Sequence, residues 1–166
     1  MNYELTNDTI NHLGVTLHRI RALQSFSNVT KGDLGGYVQS TSNLSQYNNA
    51  WVYGDARVYG DAEVFGTARV FGNAIVSGNA KVYGNTTLRN YDEISNTNQY
   101  INIIGFKYTI TVTYSSVNIG CMSFTLDQLD DDIKHVDFSD DDVDNIKQLV
   151  TYLLGIILDN ISKELV

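Results

Sequence analysis

The central part of the chain repeats its apolar and polar positions with a period of six. From Val52 the sequence runs VYGDAR, VYGDAE, VFGTAR, VFGNAI, VSGNAK and VYGNTT without a gap. Valine stands at the first position of each of these hexads, and alanine or threonine stands at the fifth. Steps of six towards the N-terminus from Ala56 place Leu44 and Val38 in the fifth position. Steps of six towards the C-terminus from Val82 place Ile94 in the first position. The pattern therefore predicts a repeat over residues 38–94.

A period of six suits neither an amphipathic helix nor a simple hairpin, but it fits a short strand followed by a corner. Alanine and valine then point inward, while the residue between them and the aromatic residue after valine point outward. Glycine with Asp or Asn supplies the unusual backbone angles of the corner. Three such sides form one triangular coil of eighteen residues. The repeat predicts a parallel β-helix of about three coils, roughly 15 Å tall.

The flanks of the repeat predict an N-terminal cap and a separate C-terminal module, and so short a solenoid needs caps and oligomerisation to cover its two ends. Residues 1–37 contain an alternating segment around Val15 and the Gly-rich sequence GDLGGYV, which together predict an N-terminal β cap. Residues 95–166 predict an α+β module with three antiparallel strands in YINIIGF, YTITVTY and VNIGCMSFT, and a short helix in TLDQLDDDIKHV. A long terminal helix follows Ser139 as N-cap, with Asp142 at the capping-box position.

Composition and charge exclude several function classes. The 166 residues carry a net charge of −8, the wrong sign for general nucleic-acid binding or for an anionic membrane surface. The charge is uneven, with a net +1 over residues 1–89 and −9 over residues 90–166. The longest apolar run, LLGIIL, is too short to span a bilayer, so we expect a cytoplasmic protein. The single cysteine, Cys121, forms no intrachain disulfide and is expected to be buried.

The hexads resemble the hexapeptide-repeat proteins, whose fold is the left-handed parallel β-helix. The resemblance implies left-handed coils and a homotrimer with parallel prism axes. Over the whole chain, the segments YELTNDTI, TLHRIRAL followed by GDLGGYV, NNAWVYGDARVYGDA and GCMSFTLDQL resemble a family of uncharacterised proteins from bacteriophages and prophages. That second resemblance implies a phage protein in the cytoplasm of an infected bacterium, and it assigns no activity to any residue.

The residues that the related enzymes use are missing from the repeat. Hexapeptide-repeat acyltransferases use a histidine as general base, usually beside a loop extruded from a coil, but residues 50–94 contain neither. The related carbonic anhydrases bind zinc through three histidines, whereas this chain has only His12, His18 and His135, in a predicted turn, cap strand and helix end. The aspartates of residues 130–144 lack the spacing of a calcium loop. We therefore expect a protein that is not an enzyme and has no cofactor or metal.

The outward side chains fall on three faces, because residues eighteen apart stack on one another. The candidate ligand-binding or interface residues are Trp51, Tyr53, Arg69, Phe71 and Arg89 on the first face, Arg57 and Tyr59 on the second, and Lys81 and Tyr83 on the third. The first face is predicted to be the richest in exposed aromatic residues, with Trp51 and Arg69 as a cation–π pair and with Glu63 and Lys81 as an ion pair on the third face. The cations can neutralise phosphates and the aromatic rings can stack on bases. The same residues also suit a subunit interface, or serve only to cover strand edges.

These features favour a non-enzymatic oligomer that sequesters a host small molecule, such as a nucleotide signal, or that blocks a host defence protein. A structural or scaffold role in the phage is the alternative, and hexapeptide-type acyl transfer is a third possibility. The expected partners are other copies of the chain, with a trimer favoured, and the host nucleotide or protein. The long terminal helix supports self-association, because its apolar residues cover more than one stripe.

Overall fold

The computed structural model describes residues 1–89, 92–104, 107–120 and 122–164 of the chain. The chain forms two compact units, Met1–Thr97 and Asn98–Val166. The first unit contains a parallel β-solenoid of about three turns, and the second contains a four-stranded sheet with helices. The prediction that Cys121 is buried concerns a residue outside the described part.

The solenoid is built from two-residue strands that stack in three parallel ladders. The strands are Trp51–Val52 (β4), Arg57–Val58 (β5), Glu63–Val64 (β6), Arg69–Val70 (β7), Ile75–Val76 (β8), Lys81–Val82 (β9), Thr87–Leu88 (β10) and Glu93–Ile94 (β11). The first face consists of β4, β7 and β10, the second of β5, β8 and β11, and the third of β6 and β9. Residues eighteen apart pair directly, as Trp51 pairs with Arg69 and Arg69 with Thr87. The predicted coil of eighteen residues is confirmed.

Valine and alanine fill the interior of the solenoid. The valines at the first position, from Val52 to Val82, have no exposed surface, and the alanines at the fifth position are at most 2% exposed. The corner glycines from Gly54 to Gly84 have φ angles between 58° and 72°, a region that glycine adopts without strain. The alternation of inward and outward side chains is therefore as the hexads predict.

The first coil departs from the predicted positions. Val38 pairs with Val58, and Leu44 forms a bridge with Val64, so both lie in the first position of the hexad. Their predicted place in the fifth position is wrong, because Val52 follows Leu44 by eight positions rather than six. Two extra residues are accommodated between these points, in a segment that we call the long corner, residues 45–49.

An N-terminal hairpin extends the second face of the solenoid. Strands β1 (Tyr3–His12) and β2 (Val15–Ala22) pair antiparallel, and β2 pairs with β3 (Leu34–Val38). Strand β3 then pairs parallel with β5, which gives a six-stranded sheet. The sequence predicts a strand near β2 but misses β1, because the middle of β1 is the polar run TNDT on an edge strand.

The second unit packs helices on one face of an antiparallel sheet. Its strands are Tyr100–Ile103 (β12), Ile110–Thr113 (β13), Ser116–Ile119 (β14) and Met122–Thr125 (β15). The sequence predicts three strands, but the last predicted run divides near Gly120, whose φ of 56° suits a turn. Helix α1 (Leu126–Asp132) and a 3-10 turn (Ile133–His135) follow.

Helix α2 (Asp140–Glu164) closes the second unit. The Ser139 hydroxyl accepts a hydrogen bond of 3.2 Å from the Asp142 backbone N–H, which confirms the predicted N-cap. Ile146 and Ile157 are buried in the core formed with the sheet, while Tyr152 remains 68% exposed. None of the helices in the described ranges has the length and apolar character needed to cross a membrane.

We predict that Ala68→Leu destabilises the solenoid by about 1 to 3 kcal/mol, because Ala68 is fully buried and the longer side chain overpacks the prism. Urea melts of the two proteins measure the difference. Glu93→Leu is the matched control, because Glu93 is an exposed outward position of the same repeat. Equal stability of Ala68→Leu and the parent protein would contradict the inward assignment of the alanines.

Candidate ligand site on the first face

The N-terminal segment covers one end of the first face. The Trp51 side chain is only 1% exposed, because the rings of Tyr3 and Phe26 meet it edge-on at centroid distances of 6.2 and 5.6 Å. The prediction that Trp51 is an exposed aromatic residue is therefore wrong. The Tyr3 hydroxyl donates a hydrogen bond of 2.6 Å to the Leu44 carbonyl. Burial raises the pKa of Tyr3 to about 12, so this hydroxyl keeps its proton at neutral pH.

A column of stacked side chains runs along the remainder of the first face. Tyr53 and Phe71 are stacked nearly parallel, with ring centroids 4.2 Å apart and planes inclined by 10°. The Arg89 guanidinium lies 4.5 Å from the centroid of the Phe71 ring. The cation–π contact of this face thus joins Arg89 with Phe71, rather than the predicted pair of Trp51 and Arg69.

A tight turn of the N-terminal segment borders this column. Phe26 and Val29 form an isolated bridge, and Ser27 between them has a φ of 49°. The Asn28 side-chain oxygen accepts a hydrogen bond of 2.9 Å from the Tyr53 hydroxyl, and the Ser27 hydroxyl lies 3.5 Å from Arg69 Nη2. We define the first-face site by these six residues: Ser27, Asn28, Tyr53, Arg69, Phe71 and Arg89. The sequence analysis missed Ser27 and Asn28, because nothing in the hexad pattern indicates which loop lies over which face.

Arg69 is a half-buried cation without a carboxylate partner among the described residues. Arg19, Arg21 and five lysines of the described part form ion pairs with carboxylates, and Arg19 pairs with both Asp8 and Asp55. Within the same part of the chain, Arg57 also lacks such a pair, and its Nε is buried without an acceptor. A partly desolvated guanidinium without a counterion favours an incoming anion. Burial raises the pKa of Tyr53, while the nearby Arg69 charge opposes that rise.

The second face holds Arg57 and Tyr59 apart from the first-face site. Arg57 pairs in register with Tyr37 of β3, whose ring carries the Arg19 guanidinium at 4.5 Å from its centroid. The Tyr59 ring is in edge contact with His12 at a centroid distance of 5.3 Å. Tyr59 therefore lies against the N-terminal hairpin, whereas Arg57 lies beside β3.

The third face carries Lys81 and Tyr83. Lys81 Nζ lies 3.4 Å from the Glu63 carboxylate, which confirms the predicted ion pair. The Tyr83 ring stacks on Phe65 at a centroid distance of 5.4 Å and is 46% exposed. Exposed aromatic surface thus lies on this face, whereas the first face was predicted to have the most.

The three histidines occupy separate positions. His12 contacts Tyr59, His18 Nδ1 lies 3.2 Å from the Thr6 carbonyl oxygen, and His135 is in the 3-10 turn of the second unit. Among the residues that the structure describes, no three His, Cys, Asp or Glu side chains are grouped so that they could hold a metal ion.

No protein-family model matches this chain, and the comparison with curated proteins gives no significant match. The first-face site suits a ligand with an anionic part and a planar part. It combines Arg69, which has no carboxylate partner among the residues that the structure describes, with Arg89 over an aromatic ring and with hydroxyl and amide groups at the rim.

We predict that Trp51 emits at short wavelength and is poorly quenched by acrylamide, because this single tryptophan is buried under Tyr3 and Phe26. Phe26→Ala should shift the emission to longer wavelength and increase quenching. Tyr47→Ala is the control, since Tyr47 is an exposed aromatic residue of the same unit. A parent spectrum typical of solvated tryptophan would show that the N-terminal segment does not cover the first face.

Proposed function

We propose that this protein is a non-enzymatic, oligomeric binding module whose first-face site binds a nucleotide. The observation that carries the proposal is Arg69, which is half-buried, lies beside an aromatic column and has no carboxylate partner among the described residues. Arginine binds phosphate through charge-assisted hydrogen bonds that are about twice as strong as neutral ones. The Tyr53–Phe71 column supplies aromatic surface for a base, and Asn28 and Ser27 supply hydrogen-bonding groups at its rim.

The resemblance of the chain to bacteriophage proteins indicates a biological role for this binding. A phage protein that binds a host nucleotide without converting it removes a signal during infection, so sequestration is our preferred mechanism. The left-handed coils and the trimer are likewise what the hexapeptide-repeat resemblance implies for this solenoid. In a variant of this mechanism, the ligand is a macromolecule, and the same surface binds and blocks a host defence protein.

A structural role is the second candidate function. A solenoid whose coils are held by backbone hydrogen bonds is a rigid spacer, and such a role requires no ligand at the first-face site. The two functions differ in whether they require Arg69, because a spacer gains nothing from a half-buried cation that has no carboxylate partner in the described part of the chain. Acyl transfer is the least favoured function, since residues 50–94 contain no histidine to serve as the general base.

We predict that a phosphorylated nucleotide stabilises the protein in a thermal-shift screen of cyclic nucleotides, nucleotide sugars and acyl-CoA. A ligand at one hundred times its Kd adds about 2.7 kcal/mol to the free energy of unfolding. Arg69→Ala should weaken binding about 10- to 100-fold, because it removes hydrogen bonds to a charged group. Arg21→Ala is the matched control, since Arg21 is exposed and already paired with Glu4.

Mass spectrometry of the ligand after incubation separates binding from catalysis. Recovery of unchanged nucleotide supports sequestration, and product formed from acyl-CoA contradicts it. Binding that survives Arg69→Ala places the ligand elsewhere. The absence of any nucleotide binding, with a host protein co-purifying, favours the protein-blocking mechanism.

Self-association is proposed to use the exposed flank of α2. Tyr152 and Ile156 lie one turn apart on this helix and are 68% and 37% exposed, and Leu158 is 55% exposed. Apolar side chains that remain exposed after a helix has packed on its own sheet favour an interface. The acidic residues at the start of α2 keep other parts of the helix solvated.

We predict that light scattering gives a multiple of the 18.5 kDa chain mass at micromolar concentration, with a trimer favoured. Tyr152→Ser combined with Ile156→Ser should shift the mass toward the monomer, because the apolar area of the interface is lost. Gln148→Ser is the control on an exposed polar position of the same helix. A parent protein that is monomeric under these conditions contradicts the proposal.

A further inference from the structure

The long corner gives the first coil a feature that the other coils lack in the described part of the solenoid. Its two ends bond to the next coil, where Ser45 N–H donates to the Val64 carbonyl at 2.9 Å and Asn49 N–H donates to the Gly66 carbonyl at 3.0 Å. Between these bonds, Tyr47 and Asn48 are exposed, and Asn48 has a φ of 65°. The extra two residues therefore form a protrusion with fixed ends.

The protrusion is also anchored from the side. The Gln46 side-chain oxygen accepts a hydrogen bond of 3.0 Å from the Asn2 backbone N–H, and its amide donates one of 3.2 Å to the Tyr3 carbonyl. Ser45 Oγ donates a hydrogen bond of 3.0 Å to the Tyr47 carbonyl. A corner fixed by these contacts is already ordered before a ligand binds, which lowers the entropy cost of binding.

A groove of about 310 Å³ lies between the long corner and the third face. This volume is at the lower end of the range for small-molecule sites, large enough for about one or two sugar rings. The lining residues that matter here are Thr41, Ser42, Ser45, Tyr47, Glu63 and Phe65. They provide four hydroxyl groups, one of them the phenol of Tyr47, together with one carboxylate and two aromatic rings on a single concave surface. No residue of the first-face site lines this groove.

The charges at the groove disfavour an ionic ligand of either sign. The Glu63 carboxylate repels an anion, and Lys81, whose Nζ lies 3.4 Å from Glu63 Oε1, repels a cation. A neutral ligand with many hydroxyl groups avoids both penalties and can donate hydrogen bonds to the carboxylate. The groove thus differs in chemistry from the first-face site, where Arg69 favours an anion.

The aromatic rings of the groove supply the apolar part of the contact. Tyr47 is 78% exposed at the tip of the long corner, and the half-buried Phe65 is held by stacking on Tyr83. A sugar ring has an apolar C–H face and a polar rim, which match an aromatic ring bordered by hydroxyl groups. We propose that this groove is a second ligand site and that it binds a neutral saccharide.

The test is a titration of ¹⁵N-labelled protein with glucose, galactose, N-acetylglucosamine and its short oligomers, followed by amide chemical shifts. The proposal expects saturable shifts at residues 45–49 and 63–65, with a Kd on the order of 1 mM or tighter for at least one sugar. Tyr47→Ala should weaken that binding at least about tenfold. Leu34→Ala is the matched control, because Leu34 is an exposed apolar residue of the same unit that does not line the groove.

Two charged probes, choline and inorganic phosphate, are titrated in the same way. Stronger shifts at the long corner with either probe than with every sugar would overturn the assignment to a neutral ligand. No shift with any of the sugars up to about 50 mM, or equal affinity in the parent and Tyr47→Ala, would overturn the saccharide site. Tyr47 is exposed, and an unchanged melting temperature shows that its variant is folded. Nucleotide binding and its dependence on Arg69 are independent of these outcomes.

Discussion

The solenoid depends on backbone hydrogen bonds that join residues one coil apart. Trp51 N–H donates to the Ala68 carbonyl at 3.1 Å, and Arg69 N–H donates to the Thr86 carbonyl at 2.9 Å, and this pattern repeats along the prism. Because each strand has only two residues, these bonds cannot be satisfied within one coil. Small inward side chains keep successive coils close enough for the bonds to form. Every coil therefore needs an adjacent coil as its hydrogen-bond partner. At the first coil, another segment must take that place.

The N-terminal segment takes that place and shapes the first face while doing so. The Gln46 amide pairs with the backbone of Asn2 and Tyr3, and the Tyr3 hydroxyl bonds to the Leu44 carbonyl. The same segment brings Tyr3 and Phe26 over Trp51 and sets Ser27 beside Arg69. Covering the end of the solenoid and forming a site with a half-buried cation are thus two results of one packing arrangement.

The two proposed sites differ in electrostatic character although they lie on the same prism. Arg69 and Arg89 give the first-face site positive charge, whereas Glu63 beside Lys81 makes the third-face groove locally neutral. An anionic ligand is favoured by the arginines of the first-face site and is repelled by Glu63 at the groove. A prism with three faces can in this way carry separate sites without any loop extruded from residues 50–94.

The sequence by itself determined the repeat, the eighteen-residue coil, the inward Val and Ala residues and the cap of α2, because each of these depends on residues at fixed short spacing. Only the tertiary structure decided that Trp51 is buried, that Leu44 lies in the first position and that Arg89 rather than Arg69 pairs with an aromatic ring. These outcomes depend on contacts such as Tyr3 with Trp51, which lie far apart in sequence. The hexad period indicates which side chains point outward. It does not indicate which outward face another segment covers, because long-range packing determines that.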